Sequence, residues 1–263
     1  MLQHSLSRTE LLIGKDALDK LAKSKVMVFG VGGVGSFTVE ALARAGVGNL
    51  ILVDDDTVCL TNLNRQIHAT YKTISKNKVE VMKERVLSVN RNCNVETIQV
   101  FVTPDNLEEI IPDDVDYVVD AIDTVSAKIA LAVYCEQKGI KLMSSMGTGN
   151  KLNPAEFKVA DIYNTKVCPL AKVMRYELRK RGVKKLKVVY SEEMPRKPKV
   201  EDVVTCKTGC VCTGGTKKCS AKRQIPGSVS FGPPVAGMII ASEVVKDLIK
   251  EYIQNMIIKI ILI

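Results

Sequence analysis

Tryptophan is absent from this chain, aromatic residues make up 5% of it, and there are two histidines. So little aromatic surface argues against recognition by extensive stacking of bases. Nowhere do apolar residues reach the run of about 18 that crosses a bilayer. The longest candidate, Met256-Ile-Ile-Lys-Ile-Ile-Leu-Ile263, is short and broken by Lys259. It reads as the frayed or packed end of the last helix, with a membrane-surface or partner contact as the alternative. Residues Met1 to Ser7 are polar and lack the apolar centre of a secretory signal. Internal repeats are also missing. These absences together predict a cytoplasmic protein without a membrane span.

The 263 residues, 46% of them hydrophobic, suffice for one sizeable α/β domain with an attached subregion. Charge is unevenly placed. Residues 166–223 hold 17 Lys/Arg against 5 Asp/Glu, a balance of +12 within a total of +9. Such a basic stretch on an otherwise near-neutral chain suits either a polyanionic partner or a solvated lysine-rich face. Of the 8 cysteines, Cys59, Cys93, Cys135 and Cys168 stand singly in segments that read as core, where a thiol behaves as a small apolar group. The other four crowd into Cys206-x3-Cys210-x-Cys212-x6-Cys219.

Along the chain, apolar spacing predicts a helix from Arg8 to Ala22 with Ser7 as its N-cap, then a buried strand at Val26–Phe29. Further helices fall at Ser36–Ala45, Lys78–Val89, Leu107–Ile111 and Ser126–Lys138. Further strands fall at Leu50–Val53, Val95–Val102, Val115–Val119 and Ile140–Ser144. Strands alternating with helices predict βαβ units, and hence a Rossmann-type, mostly parallel sheet flanked by helices. On this reading residues 1–150 form the core. Residues 151–263 continue it with a strand at Phe157–Val159, a basic helix at Pro169–Arg181 and a strand at Leu186–Tyr190. A long Cys-rich crossover loop over about 191–224 and a C-terminal helix at Val235–Ile253 complete it.

Gly30-Val-Gly-Gly-Val-Gly35 follows a strand and opens a helix. Glycines let backbone turn tightly and approach a phosphate, and a helix N-terminus favours negative charge there. Asp54, at the end of the second strand, can accept hydrogen bonds from ribose hydroxyls. Both features suit NAD and ATP alike. The segment that follows, Asp54-Asp-Asp-Thr-Val-Cys-Leu-Thr-Asn-Leu-Asn-Arg-Gln66, gives a dehydrogenase nothing it needs.

With Lys78 and Asp120-Ala-Ile-Asp123, that segment resembles the adenylation site of the ubiquitin-activating-enzyme-like (ThiF-type) superfamily. Within it, the chain most resembles the tRNA threonylcarbamoyladenosine dehydratases. The residues pointing there are Thr61-Asn-Leu-Asn-Arg-Gln-Ile-His68, Tyr117-Val-Val-Asp-Ala-Ile-Asp123, Ser145-Met-Gly-Thr-Gly149, Cys168-Pro-Leu170 and Arg223-Gln-Ile-Pro-Gly-Ser228. The resemblance implies an ATP site in which Gly30, Gly32, Gly33 and Gly35 line the nucleotide and Asp54 holds the ribose. Asn64, Arg65 and Lys78 would grip the triphosphate, and Asp123 would hold Mg²⁺. Asp56, Asn62, Gln66 and Thr124 complete the lining. Arg65, Lys78 and Asp123 carry the chemistry: attack on the α-phosphate builds negative charge that fixed cations stabilise. Asp55 reads as structural, and His68 as a base or a packing residue. The resemblance also implies a homodimer in which an arginine of the first helix reaches the neighbouring subunit's site. Arg8 stands nearest, at a different spacing from Gly14.

For Cys206, Cys210, Cys212 and Cys219 four readings stay open: a zinc or iron–sulfur site, exposed thiols, a redox pair, or an acyl-accepting nucleophile. The two Cys-x-x-Cys pairs of molybdopterin-synthase-activating relatives are missing. The leading functional expectation is ATP-dependent cyclising dehydration of threonylcarbamoyladenosine beside a tRNA anticodon, with tRNA phosphates held by the basic helix and loop. A sulfur-relay or cysteine-desulfurase-type protein is a candidate partner. The second expectation is adenylation of a ubiquitin-like sulfur carrier's C-terminus, for thiamine or molybdopterin synthesis. The third is an NAD-dependent oxidoreductase or a nucleotide-sensing tRNA-binding module, in which Asn64, Arg65, Gln66 and Lys78 would have no role.

Overall fold

The computed structural model describes residues 4–199 and 226–254. Seven strands form a single sheet in the order β3-β2-β1-β4-β5-β7-β6. They are β1 (Lys25–Phe29), β2 (Asn49–Val53), β3 (Asn94–Ile98), β4 (Tyr117–Asp120), β5 (Leu142–Ser145), β6 (Phe157–Asp161) and β7 (Lys187–Ser191). All neighbours pair in parallel except the edge strand β6, which runs antiparallel to β7. The central strands have every residue from Val26 to Phe29 and from Tyr117 to Asp120 buried. Parallel strands are covered on both faces, which is why they read as continuous apolar runs rather than alternating ones.

The helices are α1 (Ser7–Ile13), α2 (Lys15–Lys23), α3 (Gly35–Ala45), α4 (Lys78–Val89), α5 (Leu107–Ile110), α6 (Val125–Lys138), α7 (Pro169–Lys180) and α8 (Gly232–Leu248). The single helix expected over Arg8–Ala22 is two. Gly14, at φ +80, separates α1 from α2, and the N-cap of α1 is Leu6 rather than Ser7. The strand expected to run to Val102 stops at Ile98, where pairing with β2 ends. The last helix begins three residues earlier than expected, with Pro233 and Pro234 in its first turn. Proline fits there because the first turn's N–H groups have no helical acceptor.

Helix α8 packs on α3, and a Cβ on Gly237 would stand 2.3 Å from the Val34 carbonyl oxygen. That approach draws α8's N-terminus over the glycine turn after β1. Strand order reverses between β1 and β4: the chain moves outward through β2 and β3, then returns to β4 on the other side of β1. In open α/β sheets, ligands sit at the carboxyl ends of the strands beside such a reversal.

A candidate nucleotide site at the sheet reversal

Gly30 turns the chain out of β1 at φ +85 and donates its N–H to the Val53 carbonyl at 2.8 Å. The four glycines expected to line a nucleotide have different reasons to be glycine. A Cβ on Gly30 would lie 2.7 Å from the Ala121 carbonyl oxygen, and one on Gly35 1.8 Å from that of Gly30. Those two close the turn on protein backbone. Gly33 is wedged against Pro233 and Arg65, where a Cβ would meet them at 3.0 and 3.3 Å. Only at Gly32 would a Cβ find open space, its one neighbour being Gln66 Nε2 at 3.9 Å. The Oε1 of Gln66 is buried without a hydrogen-bond partner, so an unsatisfied acceptor stands beside that opening.

Asp54 sits at the carboxyl end of β2. Its Oδ2 accepts from Val31 N–H at 2.6 Å and its Oδ1 from Asp56 N–H at 2.9 Å, so the carboxylate staples the two turns together. The side chains of Asp54, Asp55 and Asp56 crowd within 4.8 Å of one another. Lys78, at the start of α4, answers that charge: its Nζ lies 2.8 Å from Asp56 and 3.9 Å from Asp54. Burial lowers the Lys78 pKa, but Asp54, Asp56 and, more weakly, Asp123 outweigh it and raise it overall. The ammonium is therefore held charged. Burial pushes the Asp54 carboxyl up, offset in part by Lys78.

Residues 59–66 form a tight loop. Asn62 is buried, and its Oδ1 accepts from Cys59 N–H at 3.0 Å. Its side chain thus serves its own turn rather than facing the opening. Asn64 is exposed and donates from Nδ2 to the Ser228 carbonyl at 3.0 Å. Arg65 reaches Asn64 Oδ1 and the Thr61 carbonyl, each at 2.9 Å, and among the described residues it has no carboxylate partner. Burial lowers its pKa without threatening the charge of a guanidinium.

His68 is 3% exposed, and neither ring nitrogen has a hydrogen-bond partner. Burial, and secondarily Lys78, lowers its pKa from 6.5 to about 4. It is a neutral ring beneath the loop, and a base only for something that reaches it. In the unfolded chain His68 gains a proton near pH 6.5, while in the folded chain it resists until about pH 4. Its contribution to stability is therefore complete above pH 6.5 and lost as pH falls toward 4. About 3 kcal/mol should disappear over that window. Urea midpoints of the wild type and His68→Gln between pH 7 and pH 4 test this; parallel pH profiles would refute it.

Asp123 and Thr124 follow β4 at the same end of the sheet. Asp123 is exposed, and Thr124 is the N-cap position of α6. The turn bearing them hangs on a feature that motif reading missed. Asp120 and Lys128, both 0% exposed, pair at 2.8 Å, and Ser144 Oγ donates to Asp120 at 2.5 Å. Asn150, which hydrogen-bonds to Gly227 and Arg196, is a further residue that motif reading did not single out. Arg8 is exposed on α1. Cys206, Cys210, Cys212 and Cys219 lie outside the described residues, so no metal-ligand geometry attaches to them; Cys93, Cys135 and Cys168 are buried.

The site therefore joins an open glycine turn and an acidic strand end to two cations from separate segments. The ThiF family model matches residues 6–260. A tRNA threonylcarbamoyladenosine dehydratase of Bacillus subtilis (strain 168) is 44% identical over 249 residues, 94% of this chain and 96% of that protein. The crystal structure of the Escherichia coli tRNA N6-threonylcarbamoyladenosine dehydratase in complex with ATP superposes with a TM-score of 0.81 at 32% identity. It covers 95% of this chain and 96% of the other. A molybdopterin-synthase adenylyltransferase of Haemophilus influenzae is 39% identical, but over 49% of this chain and 53% of that protein.

Proposed function

The chain belongs to the ThiF family, and from that premise we propose that it acts as an ATP-dependent tRNA threonylcarbamoyladenosine dehydratase. A carboxylate oxygen of the threonylcarbamoyl group attacks the α-phosphorus of ATP, and pyrophosphate leaves. The carbamoyl group then attacks the activated carbonyl intramolecularly, closing a ring and expelling AMP with the former carboxylate oxygen. ATP thus carries off the elements of water. One observation carries the reading on the geometric side. The Arg65 stem lies against Gly33, and Lys78 Nζ stands 3.9 Å from Asp54, whose other oxygen holds the Val31 N–H, so cations from different segments border the glycine turn; among the described residues Arg65 makes no ion pair with a carboxylate.

In this proposal Asp54 holds the ribose, the backbone around Gly32 and Gly33 faces the phosphates, and Asn64, Arg65 and Lys78 grip them. Lys78 exchanges Asp56 for phosphate oxygen. Mg²⁺ fits the donor set, because the acidic groups here offer hard carboxylate oxygen. Asp123, close enough to Lys78 to raise its pKa, would hold the ion, which neutralises triphosphate charge when bound. Arg8 of a second copy would complete the site in a homodimer, and sedimentation of the purified chain tests that assembly. Adenylation of a sulfur carrier uses the same nucleotide half, but the adenylyltransferase match stops at about half of this chain. Mass spectrometry of tRNA nucleosides after incubation with enzyme and ATP tests the function. Loss of one water from threonylcarbamoyladenosine is expected, and an unchanged mass would remove the reading.

For tRNA itself we propose the outer face of α7 and the turn after it. Lys166, Lys172, Arg179, Lys180, Lys184 and Lys185 are all exposed. Tyr176 is 58% exposed, with the Lys180 ammonium 4.1 Å from its ring centre. The N-terminus of α7 reaches the site end of the sheet, where a Cβ on Gly147 would lie 3.8 Å from Cys168 Sγ. A helix of 12 residues extends about 18 Å from there, enough to follow a stem held at the site. Lys172→Glu with Lys180→Glu should raise KM for tRNA about tenfold and flatten the logarithmic salt dependence by about 2. KM for ATP should stay put. Titration of tRNA at several salt concentrations reads both, and an unchanged slope would move the tRNA elsewhere.

A further inference from the structure

Asn150 follows β5 in the left-handed region, at φ +60, which few residues besides glycine and asparagine adopt readily. Three of its four polar groups hold two distant pieces of chain. The carbonyl oxygen accepts from Arg196 N–H at 2.8 Å. The N–H donates to the Gly227 carbonyl at 2.8 Å, and Oδ1 accepts from Gly227 N–H at 2.7 Å. Beside it the backbones are pressed together: a Cβ on Gly149 would stand 2.8 Å from Pro226. Residue 196 lies five positions past β7 and residue 227 five positions before α8, so one asparagine clasps both roots of the crossover between them.

The clasp does not end there. One residue past Gly227, the Ser228 carbonyl accepts from Asn64 Nδ2 at 3.0 Å, and Asn64 Oδ1 accepts from Arg65 at 2.9 Å. Further along the strap, Pro233 and the Arg65 stem lie against Gly33. An unbroken line of contacts therefore runs from Asn150 through residues 227 and 228 to the guanidinium of Arg65. Asn64 is exposed, and an exposed amide keeps one orientation only if its partner stays in place. Oriented otherwise, Asn64 would present its donor rather than its acceptor to Arg65, and that hydrogen bond would be lost.

We infer that Asn150 is a positioning residue for Asn64 and Arg65: by clasping Gly227 it fixes the Ser228 carbonyl that orients the Asn64 amide, and through it the Arg65 guanidinium. The inference rests on the proposal that Asn64 and Arg65 grip the triphosphate. It adds that the crossover's roots and the phosphate grip form one mechanical unit, so a change at the crossover is felt at Arg65.

Asn150→Gly separates this from a role in the fold. Glycine keeps the positive φ and both backbone hydrogen bonds and removes the side-chain amide, and with it the Oδ1 acceptor of the Gly227 N–H. Pyrophosphate release from ATP with substrate tRNA should fall about tenfold in kcat, the tRNA dissociation constant and the thermal midpoint staying near wild type. Asn150→Asp, which keeps an acceptor at the same place, should recover activity to within about twofold of wild type. On an Asn64→Ala background, Asn150→Gly should cost less than about twofold more, because the line is already cut. Wild-type kcat in Asn150→Gly would overturn the inference. So would full additivity with Asn64→Ala, failure of Asn150→Asp to recover, or an Asn150→Gly chain that does not fold. A wild-type chain releasing no pyrophosphate with tRNA would instead overturn the functional proposal beneath it.

Discussion

Arg65→Ala should stop pyrophosphate release from ATP while the chain stays folded and still retains tRNA. The expected fall in kcat is on the order of 10²–10³-fold, the size seen when one preorganised donor to a developing charge is removed. The side chain's partners explain why folding should be spared. Its hydrogen bonds go to the Thr61 carbonyl and to Asn64 Oδ1, both exposed contacts, and no carboxylate among the described residues depends on it. Arg65→Ala thus strands no buried charge, and its cost to stability should stay within about 1 kcal/mol. Arg65→Lys should recover little, because an ammonium cannot reproduce the planar fork that reaches Asn64 and an oxyanion at once. Quenched-flow measurement of pyrophosphate, with tRNA retention and thermal unfolding measured beside it, separates the roles. Parallel loss of tRNA binding would mean that Arg65 belongs to the RNA surface and that the α7 face does not act alone.

Much of this site was legible because its elements announce themselves locally. Val26–Phe29 and Leu50–Val53 are apolar runs ending in a glycine turn and an acidic residue, and parallel strands buried on both faces must look like that. The start of α4 at Lys78 and the acidic end of β2 at Asp54 stand where the reading put them. What a motif cannot reveal is which member faces a ligand and which serves the protein. Gly30 and Gly35 are there for contacts with backbone, and Asn62 for the Cys59 N–H. Gly32 and Gln66 border the opening, and spacing alone does not separate the two groups. The break at Gly14 was hidden because an amphipathic pattern continues through a glycine unless the backbone φ is known. Asn150 was hidden for another reason. Its partners are 46 and 77 positions away, and nothing near it in sequence marks them.

Burial rather than distance conceals the pair Asp120–Lys128, whose members stand eight positions apart. A lysine in a helix reads as a surface residue, yet Lys128 is 0% exposed and donates to Asp120 Oδ2 at 2.8 Å and to the Ile122 carbonyl at 3.3 Å. Asp120 Oδ1 accepts from Ile122 N–H at 3.2 Å, so the ion pair folds the turn leading to Asp123 back on itself. In Lys128→Met the stem is kept and the charge removed. Asp120 would then be a buried carboxylate with only Ser144 and one N–H to stabilise it. Breaking a buried pair from one side costs about 3–5 kcal/mol, because the remaining ion is uncompensated. In a chain of this size that lowers the thermal midpoint by on the order of 10 °C. Removing both charges should be milder. Asp120→Asn with Lys128→Met keeps an oxygen for the Ile122 N–H, lets the amide NH2 donate to the Ser144 hydroxyl and strands no ion, so most of the stability should return. Urea unfolding of the two single variants and the double variant measures the coupling directly. Full additivity would show that the pair contributes nothing as a pair. Strong coupling would tie the turn carrying Asp123, and with it the far wall of the proposed nucleotide site, to two charges that never meet solvent.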